Sequence, residues 1–193
     1  MADSTFLLRK YISGIIDIDH EEWEGLLKVA QPKTYRKKQL LIESGTIARH
    51  MYFLAEGFVR FFHYNKQGDE VTSDFYFAPG FITSYTSFIT QKPSAVNIHT
   101  LSDVSVLEID FDDLQRLYRT SHRIERFGRL LSERAFVESE KHLLSFLNDT
   151  PQERYLWLCR EYPEYIKNIP LQYLASYLGI TPETLSRIRN RTL

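Results

Sequence analysis

The sequence predicts an α+β chain: an N-terminal antiparallel β-roll with flanking helices, a long helix, and a C-terminal helix-turn-helix. Three observations predict it. Glycines at Gly45, Gly57, Gly68 and Gly80 recur about a dozen residues apart and bound short β-rich segments. After Phe111 the apolar period changes from that of a strand to that of a helix. Near the end of the chain, two short helical patterns flank the dipeptide Gly179-Ile180.

The first stretch carries Phe6, Leu7, Tyr11 and Ile15, then Trp23, Leu26 and Leu27, at helical spacing, with Asp19 placed to cap the second helix. The β-rich region runs from Thr34 to Ile109. His50 to Leu54 leads into a turn at Glu56-Gly57, and Phe58 to Tyr64 follows with alternating faces. Asn65-Lys66-Gln67-Gly68 reads as a hairpin connection into a strand from Glu70 to Phe77, and Val96–Thr100 and Val104–Ile109 complete the set. Glycine-cornered short strands of this kind make a small antiparallel barrel or roll.

Beyond it, Asp110 or Asp112 caps a short helix through Tyr118, and a longer helix spans Ser121 to Leu147. Its apolar positions include Ile124, Phe127, Leu130, Leu131, Val137, Leu143, Leu144 and Leu147. They can pack on the roll, or one stripe can do so while another meets a second subunit. Asp149-Thr150-Pro151 ends this helix and opens the next, which buries Tyr155, Leu156 and Leu158. The expected divisions are a sensor domain over 1–120, a dimerisation helix over 121–148, and a DNA-binding domain over 149–193.

Composition narrows the function. The 193 residues are 43% hydrophobic and 25% charged, with a formal net charge of -1. That is enough apolar content for true cores, and it excludes a protein that coats nucleic acid by bulk charge. Cys159 is the only cysteine, so an intrachain disulfide and a four-cysteine iron-sulfur or zinc site are both excluded. No leader is visible at Met1-Ala2-Asp3-Ser4 and no apolar run is long enough to span a bilayer, so the expectation is a cytoplasmic protein with no membrane partner. The six histidines show no pair at a spacing diagnostic of metal or haem ligation. No phosphate-binding loop, dinucleotide turn, zinc-protease helix or nucleophile elbow occurs, and the adjacent carboxylates Glu21-Glu22 and Asp112-Asp113 sit at helix starts, where they suit the helix dipole. An enzyme is not expected, and neither is a metal.

The sharpest local signal is C-terminal. Leu171 to Leu178 forms one helix, Gly179-Ile180 the turn, Thr181 the cap, and Pro182 to Arg189 the second helix. Ala175 is small where the helices cross, and Ile180, Leu185 and Ile188 form the stripe that holds the second helix. Glu183, Ser186, Arg187, Asn190 and Arg191 are left outward, a polar, net-basic face of the size that enters a major groove.

Glu183-Thr184-Leu185-Ser186-Arg187 resembles the E-x-x-S-R recognition-helix motif of the bacterial Crp/Fnr family of transcription regulators, in the form of its Fnr-like branch. The glycine series, with Tyr52-Phe53-Leu54 before Gly57-Phe58-Val59-Arg60, is similar to the family's cyclic-nucleotide-binding-type roll, and the long helix to its dimerisation helix. The resemblance implies a homodimer on double-stranded DNA, with RNA polymerase a further partner and a symmetric site of TTGA-like half-sites. It assigns Arg187 to a guanine, Glu183 to a base amino group and Ser186 to the adjoining pair, chemistry that base edges permit. Gln172, Thr181 and Arg191 are the candidate phosphate contacts. The chain stops at Arg191-Thr192-Leu193, so the expectation is a winged-helix-like domain lacking a full wing, with fewer neutralised phosphates.

In the sensing half the sequence departs from the cAMP-binding members. Those carry a glutamate for the ribose and an arginine for the cyclic phosphate; here Ser84 and Pro93 stand in their places. Without the arginine, the phosphate loses a charge-assisted and bidentate partner. The expected effector is therefore neither cAMP nor cGMP, and no cofactor is assigned. Thr83, Ser84 and Ser94 are the ligand-pocket candidates, among aromatic residues (Phe75, Tyr76, Phe77, Phe81, Tyr85, Phe88) that could line a pocket or close it. The competing function is a ligand-binding or protein-interaction module of the same fold that no longer binds DNA.

Overall fold

The computed structural model describes residues 4–192; Met1 to Asp3, read above for a leader, and Leu193 lie outside the described residues. Among the described residues the chain divides into two compact units. One runs to His63 and includes Asp74–Leu131; the other joins Tyr64–Ser73 to the residues from Ser132 onward.

The first unit begins with α1 (Ser4–Ser13) and α2 (His20–Val29). Asp19 caps α2 as its sequence position suggests: its carboxylate accepts from the Glu22 N–H at 2.9 Å, and the Glu22 carboxylate accepts from the Asp19 N–H at 3.2 Å. Arg123 reaches both carboxylates, at 2.8 and 3.1 Å. Leu8, Ile12, Trp23 and Leu26 supply the buried stripes of the two helices.

Among the described residues eight strands follow: β1 (Gln31–Tyr35), β2 (Leu40–Ile42), β3 (His50–Glu56), β4 (Phe58–Tyr64), β5 (Glu70–Phe77), β6 (Gly80–Ile82), β7 (Asn97–Thr100) and β8 (Val104–Asp110). They form two four-stranded sheets with orders β1-β8-β3-β6 and β2-β7-β4-β5. The central pair is β3 against β8, antiparallel, with Phe53 opposite Leu107 and Leu54 opposite Val106. These side chains, with Val59, Ile98 and Ile109, are almost wholly buried and make the core of the roll. At the β3–β4 corner Gly57 has φ +86°, and a Cβ there would overlap the Asp103 carbonyl oxygen, so the position admits glycine only. Gly45 and Gly68 also turn corners at positive φ, whereas Gly80 opens β6 without one.

A short helix α3 (Tyr85–Thr90) separates β6 from β7, and α4 (Phe111–Thr120) starts where the Asp110 carboxylate accepts from the Asp112 N–H at 2.8 Å. Helix α5 (His122–Asn148) runs 27 residues and crosses from the first unit into the second. Its first turns bury Ile124 and Phe127.

In the second unit α6 (Pro151–Glu161), α7 (Pro163–Asn168), α8 (Leu171–Tyr177) and α9 (Pro182–Thr192) surround Tyr155, Leu158, Tyr165, Ile169, Leu174, Ala175 and Leu185. Thr150 and Glu153 form a capping box at the start of α6, with Pro151 in its first turn. Two expectations are corrected here. Leu156 is exposed, because Tyr155 and Leu158, three positions apart, already occupy the inner line of α6. Of Ile180, Leu185 and Ile188, Leu185 alone is fully buried, with the other two at the margins of the contact. No helix among the described residues is long and apolar enough to cross a membrane.

Candidate functional site

The turn between α8 and α9 is built by local chemistry. The Ile180 N–H donates to the Ala175 carbonyl at 3.0 Å and the Gly179 N–H to that of Ser176 at 3.1 Å, the two bonds of a Schellman ending. Gly179 has φ +70°, which the motif requires and which an L side chain would resist. Thr181 then caps α9: its Oγ1 accepts from the Thr184 N–H at 3.2 Å.

On α9, Glu183, Ser186 and Arg187 are spaced i, i+3, i+4 and share one face, away from the buried Leu185. Glu183 and Arg187 are exposed and Ser186 is half-buried; Asn190 and Arg191 extend the exposed surface. The hydrogen bond from its own backbone N–H, then the Thr181 hydroxyl and the Arg187 charge, hold the Glu183 carboxyl below the usual range, so it is an ionised acceptor. Arg187 Nη2 donates to Thr184 Oγ1 at 3.1 Å, which folds the guanidinium along its own helix. Gln172 is exposed at the start of α8, and Thr181 is exposed at the turn. The residues expected to read bases thus fall on one face; the phosphate candidates Gln172, Thr181 and Arg191 fall on the start of α8, the turn and the end of α9.

Sequence reasoning missed what holds this motif. Arg154 of α6 is buried; Nη1 donates to the Asp149 carbonyl at 2.7 Å and Nη2 to the Leu178 carbonyl at 2.9 Å, so one side chain ties the end of α5 to the last carbonyls of α8. Its guanidinium lies 4.6 Å from the centre of the Phe146 ring. His142 sits between Phe146 and Tyr177, with centroids at 5.0 and 4.8 Å, and its Nε2 is buried without a hydrogen-bond partner. A Cβ on Gly179 would approach Phe146 Cε1 to 2.9 Å, so this ring also dictates the turn glycine. An arginine and a histidine on helices look solvated in a sequence, and nothing in their spacing marks them.

The sensor cassette has different chemistry. Thr83 Oγ1 donates to the His50 carbonyl at 2.9 Å. Ser94 Oγ lies 2.8 Å from Ser84 Oγ and 2.7 Å from the Val96 carbonyl, and accepts from the Val96 N–H at 3.1 Å. A hydroxyl has one proton, so the set closes when Ser94 donates to Val96 and Ser84 donates to Ser94. Both serines are buried. The preceding loop is pinned to the same stretch: Gly45 N–H donates to the Ser94 carbonyl, and Ser94 N–H to that of Thr46, both at 2.8 Å. The stretch thus presents neither the carboxylate nor the guanidinium that a cyclic nucleotide requires, and Lys92, next to Pro93, is exposed. Three of the aromatic residues pack on other rings of the chain. Phe81 packs on Tyr11, Phe53 and Phe127; Phe77 stacks on Phe58 at 4.6 Å; Phe88 meets Phe111 edge-on.

Known proteins bear on both halves. Residues 32–121 match the cyclic nucleotide-binding domain family. The regulatory protein HlyX of Actinobacillus pleuropneumoniae is 23% identical over 175 residues, spanning 84% of this chain and 72% of that protein. Among solved structures, the c-di-GMP responsive global regulator CLP of Xanthomonas campestris superposes with a TM-score of 0.71 at 20% identity, covering 90% of this chain and 91% of the other. A transcriptional regulator of the Crp/Fnr family from Eubacterium rectale gives a TM-score of 0.70 at 14% identity, covering 89% and 82%. At these identities the solved structures speak for the fold, and the domain match and the regulatory relatives agree with it. A cyclic-nucleotide-binding-type roll, a long connecting helix and a C-terminal helix-turn-helix give the chain the fold of the Crp/Fnr transcription regulators to which it is similar.

Proposed function

We propose that the protein is a sequence-specific DNA-binding regulator that acts in the cytoplasm as a homodimer on a symmetric site with TTGA-like half-sites. One observation carries the reading: Glu183, Ser186 and Arg187 share a face of α9 away from the buried Leu185, beside the exposed Arg191. Released from Thr184, the Arg187 guanidinium supplies two parallel donors for guanine O6 and N7. The ionised Glu183 accepts from a cytosine or adenine amino group. Gln172, Thr181 and Arg191 bind phosphates and fix the register without reading sequence. Cyclic AMP and cyclic GMP are not the effector, because Ser84 and Ser94 bind each other and Pro93 replaces the guanidinium.

Fluorescence anisotropy on a duplex with two TTGA half-sites tests this. Arg187→Ala is expected to weaken binding by about 1–3 kcal/mol per half-site and to relax the preference at the contacted base pair. Gln172→Ala is expected to weaken all duplexes alike and to leave the salt slope unchanged, because a neutral amide neutralises no phosphate. Equal binding by wild type and Arg187→Ala, or no salt-sensitive binding by wild type, would mean that the helix-turn-helix no longer reads DNA.

A further inference from the structure

The ten residues Tyr64–Ser73, the end of β4, the hairpin tip and the start of β5, belong to the same compact unit as the helix-turn-helix. The tip is locally rigid. Asn65 Oδ1 accepts from the Gln67 and Asp69 N–H groups, both at 2.9 Å, and the Asn65 N–H donates to the Asp69 carbonyl at 3.0 Å. Beyond the tip, the buried Thr72 donates its backbone N–H to Ser176 Oγ on α8 at 2.9 Å, and Ser176 Oγ lies 3.5 Å from the Glu70 carbonyl. Ser176 stands one helical turn after Gln172, on the same side of α8. A strand amide that is bonded to a serine on a helix orients that helix by a directional contact; apolar packing alone would let it slide.

We infer that the β4–β5 hairpin is part of the DNA-reading apparatus: it positions α8, and through the α8–α9 turn it positions α9, with Ser176 as the positioning residue. This inference rests on the proposed DNA-binding function. The hairpin is the covalent end of the strands β4 and β5. Ser176 touches no DNA in this arrangement; it acts by keeping Gln172 and the α9 face in register.

The test combines DNA affinity with amide exchange on the full chain. In hydrogen exchange without DNA, the Thr72 amide is expected to be protected in wild type, exposed in Ser176→Ala, and protected again in Ser176→Thr, which retains the hydroxyl. In anisotropy on the TTGA duplex, Ser176→Ala is expected to bind about fivefold more weakly, the worth of one ordinary hydrogen bond, with an unchanged salt slope, and Ser176→Thr to recover. Three results overturn the inference: an unprotected Thr72 amide in wild type, unchanged DNA affinity in a folded Ser176→Ala protein, or weakened DNA binding by Ser176→Ala with its Thr72 amide still protected, which would make Ser176 a direct DNA contact. If wild type binds no duplex, the failure belongs to the proposed function, and the exchange data still decide whether the hairpin is anchored.

Discussion

His142 shows how one side chain makes the helix-turn-helix unit sensitive to pH. It lies between two aromatic rings, near the Arg154 guanidinium, with Nε2 unpartnered. Burial first, and the Arg154 charge second, hold its pKa below the usual 6.5. Arg154 on α6 and Tyr177 on α8 are the titratable groups that face it; on α5 itself Glu138 is engaged by Lys141 at 2.8 Å. The sign follows from proton counting. Below the unfolded value the unfolded chain binds the proton more readily than the folded one, so stability is complete above about pH 6.5 and is lost as the pH falls through the lowered folded value. His142→Phe keeps a ring in the aromatic box and removes both the orphaned nitrogen and the titration. In melting experiments at pH 7.5 and 5.5, the variant is expected to gain on wild type at the lower pH. A difference between the two proteins that does not change with pH would show that His142 stays neutral or escapes to solvent.

The same contrast between local signal and tertiary consequence runs through the elements. The strands β3, β4, β5, β7 and β8, and the helices α2, α5, α6, α8 and α9, are legible because each carries its own periodicity, cap or turn residue. β1 was not, because Gln31 to Thr34 are exposed and show no alternation; its pairing with β8 supplies the order. β2 and β6, at three residues each, are too short for a period. In the candidate site, the outward face of α9 follows from helical spacing, while Arg154, His142 and the Thr72–Ser176 contact come from residues far apart in the chain. The cassette lies between these cases. Its sequence lacks the ribose and phosphate ligands, and its fold adds that Ser84 and Ser94 already satisfy each other. Titration calorimetry with cAMP or cGMP is therefore expected to give no binding heat at millimolar nucleotide, since both the desolvated serine pair and the phosphate charge would lack partners. Saturable binding of either nucleotide would show that groups outside Thr83, Ser84 and Ser94 hold it.

The proposed homodimer would form through the second half of α5. Phe136, Val137, Leu143, Leu144 and Leu147 are all exposed there, Phe136 and Leu147 by about 70%. Phe136, Leu143 and Leu147 follow one another by seven and four positions, and Val137 and Leu144 by seven, which gives two neighbouring lines along one side of the helix. A helix that only packed on its own chain would keep these positions polar. Each large apolar side chain contributes about 1.5–3 kcal/mol when fully withdrawn from water, so a paired α5 would gain enough to hold two subunits together. In the proposed homodimer two subunits would present two α9 helices to a symmetric site, and the second contact would become intramolecular. Replacing Leu143 and Leu147 together by glutamate puts a charge on that line without touching the helix-turn-helix. Native mass spectrometry is expected to find the wild type as a dimer and the double variant as a monomer. On a duplex with two half-sites the variant is expected to lose about a hundredfold or more in affinity, while its weak binding to a single half-site is unchanged. A double variant that stays dimeric would move the interface off α5. A monomeric variant that still bound the two-site duplex as tightly as wild type would break the link between pairing and recognition.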